Sequence, residues 1–249
     1  MSGPIPVHFV AAGKFHDIDF ARLEILKLLA EEPRIRTTVA CDFSDMDRLA
    51  ECGTLITYTC VVLPSEKETA ALKTFLERGG RWLALHGTNS ILEFLESGLV
   101  SCPETADEFM SLLGTQFKAH PPIGQMKVEV TDKTHPMTRG IEDFETVDEL
   151  YLSKTKADID VLMKTRFTGE ATGFEEADWD ESDVPILYTR DHGTKGGGVL
   201  YNTLGHCRGH YDVAELMPFW PHPERCSWDY PVYYQLLRRG IRWAIGELE

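Results

Sequence analysis

Basic residues are scarce in this chain of 249 residues: 25 Lys and Arg stand against 40 Asp and Glu, a formal charge of −15. Such a surface repels phosphate backbones and anionic headgroups, which excludes nucleic acid and membrane as partners and leaves neutral small molecules. Long apolar runs are also missing. The N-terminal MSGPIPVHFVAAGKF has no basic start, and its apolar stretch is too short for a signal or a membrane span, which predicts a cytoplasmic protein. Cys41, Cys52, Cys60, Cys102, Cys207 and Cys226 form no CxxC pair, and several lie inside apolar runs, so they read as buried free thiols. No Gly/Ser linker, repeat or low-complexity tract marks a boundary, and residues 1–249 are expected to form one domain. Self-association as a homo-oligomer is left open.

What is present is an alternation of strand and helix signals. Pro6–Ala12 reads as a strand, and Asp17 caps a helix with Ala21, Ile25, Leu28 and Leu29 at helical spacing. Ile35–Cys41 and Thr54–Leu63 follow as strands. Ser65 and Glu68 form a capping box that opens a helix carrying Leu72, Phe75 and Leu76, and Gly79-Gly80 ends it before the strand that runs into His86. Thr105–Leu113 reads as a helix; Gln125–Val130, Val161–Thr165, Pro185–Thr189 and Gly198–Asn202 read as strands, the last two joined by the glycine-rich Asp191–Gly198. The acidic Glu170–Asp183 reads as a solvated loop. A stripe of Tyr233, Leu237, Ile241, Ala244, Ile245 and Leu248 closes the chain as a helix. The pattern predicts an α/β fold: a flavodoxin-like three-layer sandwich around a mainly parallel central sheet.

In RWLALHGTNS, residues 81–90, an apolar strand stops abruptly at His86-Gly87. A strand end at the carboxyl edge of such a sheet aims a side chain out of the core, where chemistry is usually mounted. His120 in GTQFKAHPP, His135 in THPMTRGI, Asp148-Glu149-Leu150-Tyr151, and His206 with His210 after NTLG likewise set ionisable groups beside turn residues. His135-Pro136 is read as turn chemistry. His206 and His210 have metal-site spacing for a helix, but Gly205 and Gly209 argue for a loop.

The succession GGRWLALHG, GTQFKAHPP, THPMTRGI, DELY, PILYTRDHGTKGGGVLYNTLGH and YQLLRRGIRWAIG resembles the trehalose-utilisation ThuA-like family in order, over almost the whole chain. The resemblance implies a fold similar to class I glutamine amidotransferases. His86 then occupies their nucleophile elbow with no cysteine beside it, so thioester-forming glutaminase chemistry is excluded. It implies a pocket of His86, His120, Glu149, Tyr151 and His206, and sugar substrates oxidised to the keto form. Asn89, Asp148, Arg190 and His210 are the accompanying candidates for substrate binding. The expected activity is acid–base chemistry, as lyase, hydrolase or isomerase, on a keto-sugar, disaccharide or related glycoside. Two alternatives stay open: a non-catalytic sugar-binding or regulatory module with Trp220 and Trp228 as platforms, and a hydrolase whose cofactor is a divalent metal on His86, Glu149 and His206.

Overall fold

The computed structural model describes residues 3–45, 47–209 and 222–248. The chain opens with β1 (Ile5–Gly13), α1 (Ile18–Leu29), β2 (Ile35–Ala40), α2 (Asp47–Glu51), β3 (Thr54–Cys60), α3 (Glu66–Glu77) and β4 (Arg81–Leu85). The caps read from sequence are in place. Asp17 accepts from the Phe20 N–H at the start of α1, and Ser65 and Glu68 close a reciprocal capping box on α3.

Beyond β4 come a 3₁₀ turn (His86–Asn89), β5 (Glu93–Phe94), β6 (Val100–Ser101), α4 (Asp107–Leu113), β7 (Thr115–Ala119), β8 (Gly124–Val130) and β9 (Phe144–Asp148). Then follow β10 (Leu152–Thr155), β11 (Asp160–Glu170), β12 (Asp178–His192), β13 (Gly197–Asn202), a second 3₁₀ turn (Cys226–Asp229) and α5 (Pro231–Ala244). One large sheet has the order β2-β1-β3-β4-β13-β12-β11-β8-β9, and β7 pairs separately with β10. Among the described residues no helix is long and apolar enough to cross a membrane.

The α/β class holds, but the expected mainly parallel sheet does not. Pairings from β2 through to β13 are parallel, whereas β13–β12, β12–β11, β11–β8 and β8–β9 are antiparallel. Hairpin partners read as isolated strands in sequence because a strand's own pattern says nothing about its neighbour's direction. The acidic stretch is corrected too: Asp178–Asp183 belongs to β12 and pairs with the end of β11. It tolerates its charge because Lys164 pairs with Asp183 and Arg166 with Glu181 across the ribbon.

Period-two alternation places the core on both faces of the parallel half. Leu83 and Leu85 of β4 join the cluster containing Ile25 of α1 and Leu237 of α5. Trp82 and Ala84 join the one containing Leu72 of α3 and Phe109 of α4. Every residue of β3 and β13 is buried. Central parallel strands covered on both faces leave only their carboxyl ends for function.

Candidate active site

Four chain segments meet at that edge. β1 is followed by Phe15-His16, β3 ends at Cys60, β4 runs into His86, and β13 runs into Leu204–Arg208. The antiparallel half adds Glu149 directly after β9, and the β7–β10 pair, with Ala119 opposite Leu152, adds His120 and Tyr151 from one end.

The His86 turn is strained. Its φ is +41°, unusual for a residue with a Cβ. Gly87 is required next, because a Cβ there would lie 2.7 Å from the Thr59 carbonyl oxygen. Tyr201 ties the turn down: its hydroxyl donates to the His86 carbonyl and accepts from the Asn89 N–H. Asp148, fully buried, organises the opposite wall. Its Oδ1 accepts from the N–H groups of Glu149 (2.8 Å) and His206 (3.0 Å), and its Oδ2 from those of Gly205 (2.8 Å) and Ser227 (3.3 Å). Gly205 has φ +115°, and any Cβ would fall 2.0 Å from the Tyr233 hydroxyl, so glycine is obligatory there. The Asp17 N–H donates to the Cys207 carbonyl and thereby holds the segment after β1 against the one after β13.

Glu149 is the centre of the result. Its Oε2 lies 3.6 Å from His86 Nε2 and 3.2 Å from His206 Nδ1; its Oε1 lies 3.3 Å from His120 Nε2 and 3.7 Å from Arg208 Nη2. Glu224 faces the other side of His206, with 3.2 Å between Oε2 and Nε2. Burial alone would raise the Glu149 carboxyl, but the neighbouring His206 and His120 rings bring it well below its ordinary value. Burial opposes the charged form of His206 as well, and the attraction of Glu149 and Glu224 overrides it to hold the ring up at about 9. In His16 burial prevails, reinforced by His86 and His206, and keeps the ring neutral. Tyr151 is held protonated by burial, with Cys60 and Glu149 adding to the effect.

A cavity of about 420 Å³ opens over this cluster. Phe15, Phe94, Phe117 and Phe174 form much of its wall, and His16, His120, Glu149, Tyr151, Arg208 and Glu224 supply its polar end. His86 and His206 lie behind that wall with no exposed surface. Of the other candidates, Asn89 is buried and donates to Thr115. The acceptors of Asp148 are taken up by the main chain, and Arg190 binds the Asp158 carbonyl away from the cavity. His210 and Trp220 lie outside the described residues. Trp228 is buried and donates to the Gly205 carbonyl, so it presents no platform to the cavity. His16, Arg208 and Glu224 were not among the candidates. His16 carried a usable signal, a histidine three residues past the Gly13 that ends the first strand.

Buried histidines and a carboxylate at the carboxyl edge of an α/β sheet, beneath an apolar cavity, define an α/β protein built around a buried polar centre. The chain belongs to the ThuA (trehalose utilisation) family, whose sequence profile matches residues 9–219. Its fold is similar to that of a ThuA-like protein from Bacteroides uniformis (TM-score 0.65, 18% identity, 98% of this chain and 93% of that one covered). It is also similar to one from Parabacteroides merdae (0.63, 16%, 98% and 91%) and to cytoplasmic protein STM1381 from Salmonella typhimurium (0.56, 11%, 98% and 100%). At these identities the likeness is one of fold. No curated protein matches the sequence significantly. The family indicates a carbohydrate-related role.

Proposed function

We propose that this protein is an enzyme of carbohydrate metabolism that moves a proton on the carbon beside a sugar carbonyl, in a keto-sugar, disaccharide or related glycoside. The observation that carries the reading is the gathering of Glu149 and the histidines at the polar end of a cavity whose size suits a sugar. A ring carbonyl acidifies the adjacent C–H, and a neutral imidazole can take that proton.

His120 is suited to the task. It lines the cavity, and its Nδ1–H donates to the Pro121 carbonyl at 2.8 Å, which leaves the Nε2 lone pair as the base. Glu149, 3.3 Å from that Nε2, steadies the imidazolium that forms. Tyr151, held protonated, is a hydrogen-bond donor for the developing enolate oxygen. The phenylalanine walls take the C–H faces of the sugar and exclude water. Expulsion of the leaving group beta to the carbonyl makes the reaction a lyase step, addition of water to the enone so formed completes a net hydrolysis, and return of the proton to the former carbonyl carbon is an isomerase step. Glutaminase chemistry has no support: Cys60, on the cavity wall, is kept protonated by burial, with Glu149 reinforcing it.

The test is exchange of the substrate's carbon-bound hydrogen with solvent deuterium across a panel of keto-glycosides. Exchange is expected in the wild type and should fall by roughly two to four orders of magnitude in His120→Ala. Sugar binding without exchange or turnover would replace this reading with that of a binding module.

A further inference from the structure

Three imidazole nitrogens of the cluster make no hydrogen bond, although Glu149 Oε2 stands 3.2 Å from one and 3.6 Å from another. His16 Nε2, His86 Nε2 and His206 Nδ1 are sealed from solvent without a hydrogen-bond partner, in residues no more than 6% exposed. The other nitrogen of each ring is engaged. His16 Nδ1 lies 3.0 Å from the Lys14 carbonyl, His86 Nδ1 2.8 Å from the Thr203 carbonyl, and His206 Nε2 3.2 Å from Glu224 Oε2. A carbonyl only accepts, so the first two rings carry their proton on Nδ1 and turn a bare lone pair inward. The Glu224 carboxylate holds the His206 proton on Nε2, so Nδ1 is the nitrogen that gives up its proton when an ion takes that place. The three nitrogens and a Glu149 carboxylate oxygen lie within 4.8 Å of one another.

Two bare lone pairs and a carboxylate that converge in a sealed space are costly unless something positive sits between them, a place that a metal ion fills better than the single proton of His206 Nδ1. We propose that His16, His86, His206 and Glu149 together bind one divalent transition-metal ion. Glu149 Oε2 stands 3.2 Å from one nitrogen and 3.6 Å from another, close to the roughly 3.4 Å expected between neighbouring ligands of an ion bound at about 2.1 Å. The wider spacings in the set close up around the ion. The partners of the opposite ring nitrogens are the carbonyls and carboxylate that fix tautomer and ring plane in metal sites. Glu149 is oriented in the same way, since its other oxygen is engaged by His120 and Arg208. Three imidazoles with one carboxylate suit zinc, iron, cobalt or manganese, whereas magnesium and calcium want oxygen ligands. His16 and Glu149 border the cavity while His86 and His206 back it, so the ion's open side faces the cavity, where a sugar oxygen can reach it. The assignment rests on ligand geometry and is independent of the carbohydrate reading.

The experiment strips the protein with a chelator, then titrates Zn²⁺ and Co²⁺ by calorimetry with metal analysis, and records the cobalt absorption spectrum. The expected result is one equivalent bound, visible cobalt bands of a nitrogen-rich low-coordinate site, a Tm that rises with Zn²⁺, and no competition from excess Mg²⁺ or Ca²⁺. His16→Ala should weaken binding by roughly tenfold or more, whereas His135→Ala, whose ring only accepts from the Met137 N–H of its own turn, binds like the wild type. If His16→Ala does not fold, His16→Gln and the wild-type cobalt spectrum carry the test. Wild-type stoichiometry near zero for both ions, unchanged affinity in the His16 variant, or a preference for Mg²⁺ or Ca²⁺ overturns the proposal. A bound ion in a protein that never exchanges substrate hydrogen overturns the proposed activity alone. Exchange by a protein that takes up no ion overturns the metal site alone.

Discussion

Replacing Asp148 by asparagine keeps the size of a fully buried side chain and removes half of its accepting power. The carboxylate receives four main-chain N–H groups, two on each oxygen. An amide oxygen can keep one pair, and its NH₂ then points at the other two donors. Each hydrogen bond to a buried charged acceptor contributes about 1.5–3 kcal/mol, so the loss of two predicts a destabilisation of about 3–6 kcal/mol. That is a large fraction of the roughly 5–15 kcal/mol that holds a domain together, and for this chain length it corresponds to a fall in Tm of about 6–24 °C. The lost pair anchors either Glu149 and His206 or Gly205 and Ser227, so the site should loosen before the sheet does. Differential scanning calorimetry reads the first effect, and hydrogen exchange at these four amides reads the second. A Tm within about 2 °C of the wild type, with those amides still protected, would refute the view that Asp148 is the internal anchor of the site.

Glu149→Gln keeps the shape of the central side chain but removes the charge that organises three imidazoles and Arg208; steady-state kinetics should show kcat down by roughly two to four orders of magnitude with KM moved far less, and a selective rise in KM would contradict it. His86→Ala should lose turnover to a similar extent although the ring does not reach the cavity, and the control is an unchanged far-UV spectrum. Cys207 is fully buried and its thiol is pushed up to about 12 by burial, so iodoacetamide should leave it unmodified in the native protein; fast labelling by mass spectrometry would show the packing to be wrong. His8 and His192 are held below 6.5 chiefly by burial, so as the pH falls through 6.5 the unfolded chain takes up protons that the native protein resists. Their contribution to stability is therefore complete above that pH and lost below it. The drop in Tm from about pH 7.5 to about pH 5.5 should be smaller in His8→Gln than in the wild type.

Local signals decided much of this protein. The capping box at Ser65, the Asp17 cap, the apolar spacing of α1, α3 and α5, and the abrupt end of β4 at His86 are short-range physics, written within a few residues and preserved on folding. The succession of motifs was sufficient for the family. Strand direction was not available in this way, because the four antiparallel pairings of β8, β9, β11, β12 and β13 depend on which strand lies alongside, a long-range choice.

The same limit applied to the site. His86, His120, Glu149 and His206 could each be suspected from a strand or turn boundary, but their distances to one carboxylate belong to the packing of four loops. Packing also decided roles that residue type could not: Asp148 went to the main chain, Asn89 and Arg190 to structural hydrogen bonds, and Trp228 to the core. His16 entered the cluster only because β1 lies beside β3 in the parallel sheet and the Asp17 N–H meets the Cys207 carbonyl, a contact across 190 residues of chain. Sequence determines which groups are available and where the chain turns. The burial that strips their water, and the convergence of three imidazole nitrogens on one carboxylate, exist only once the sheet edge has formed.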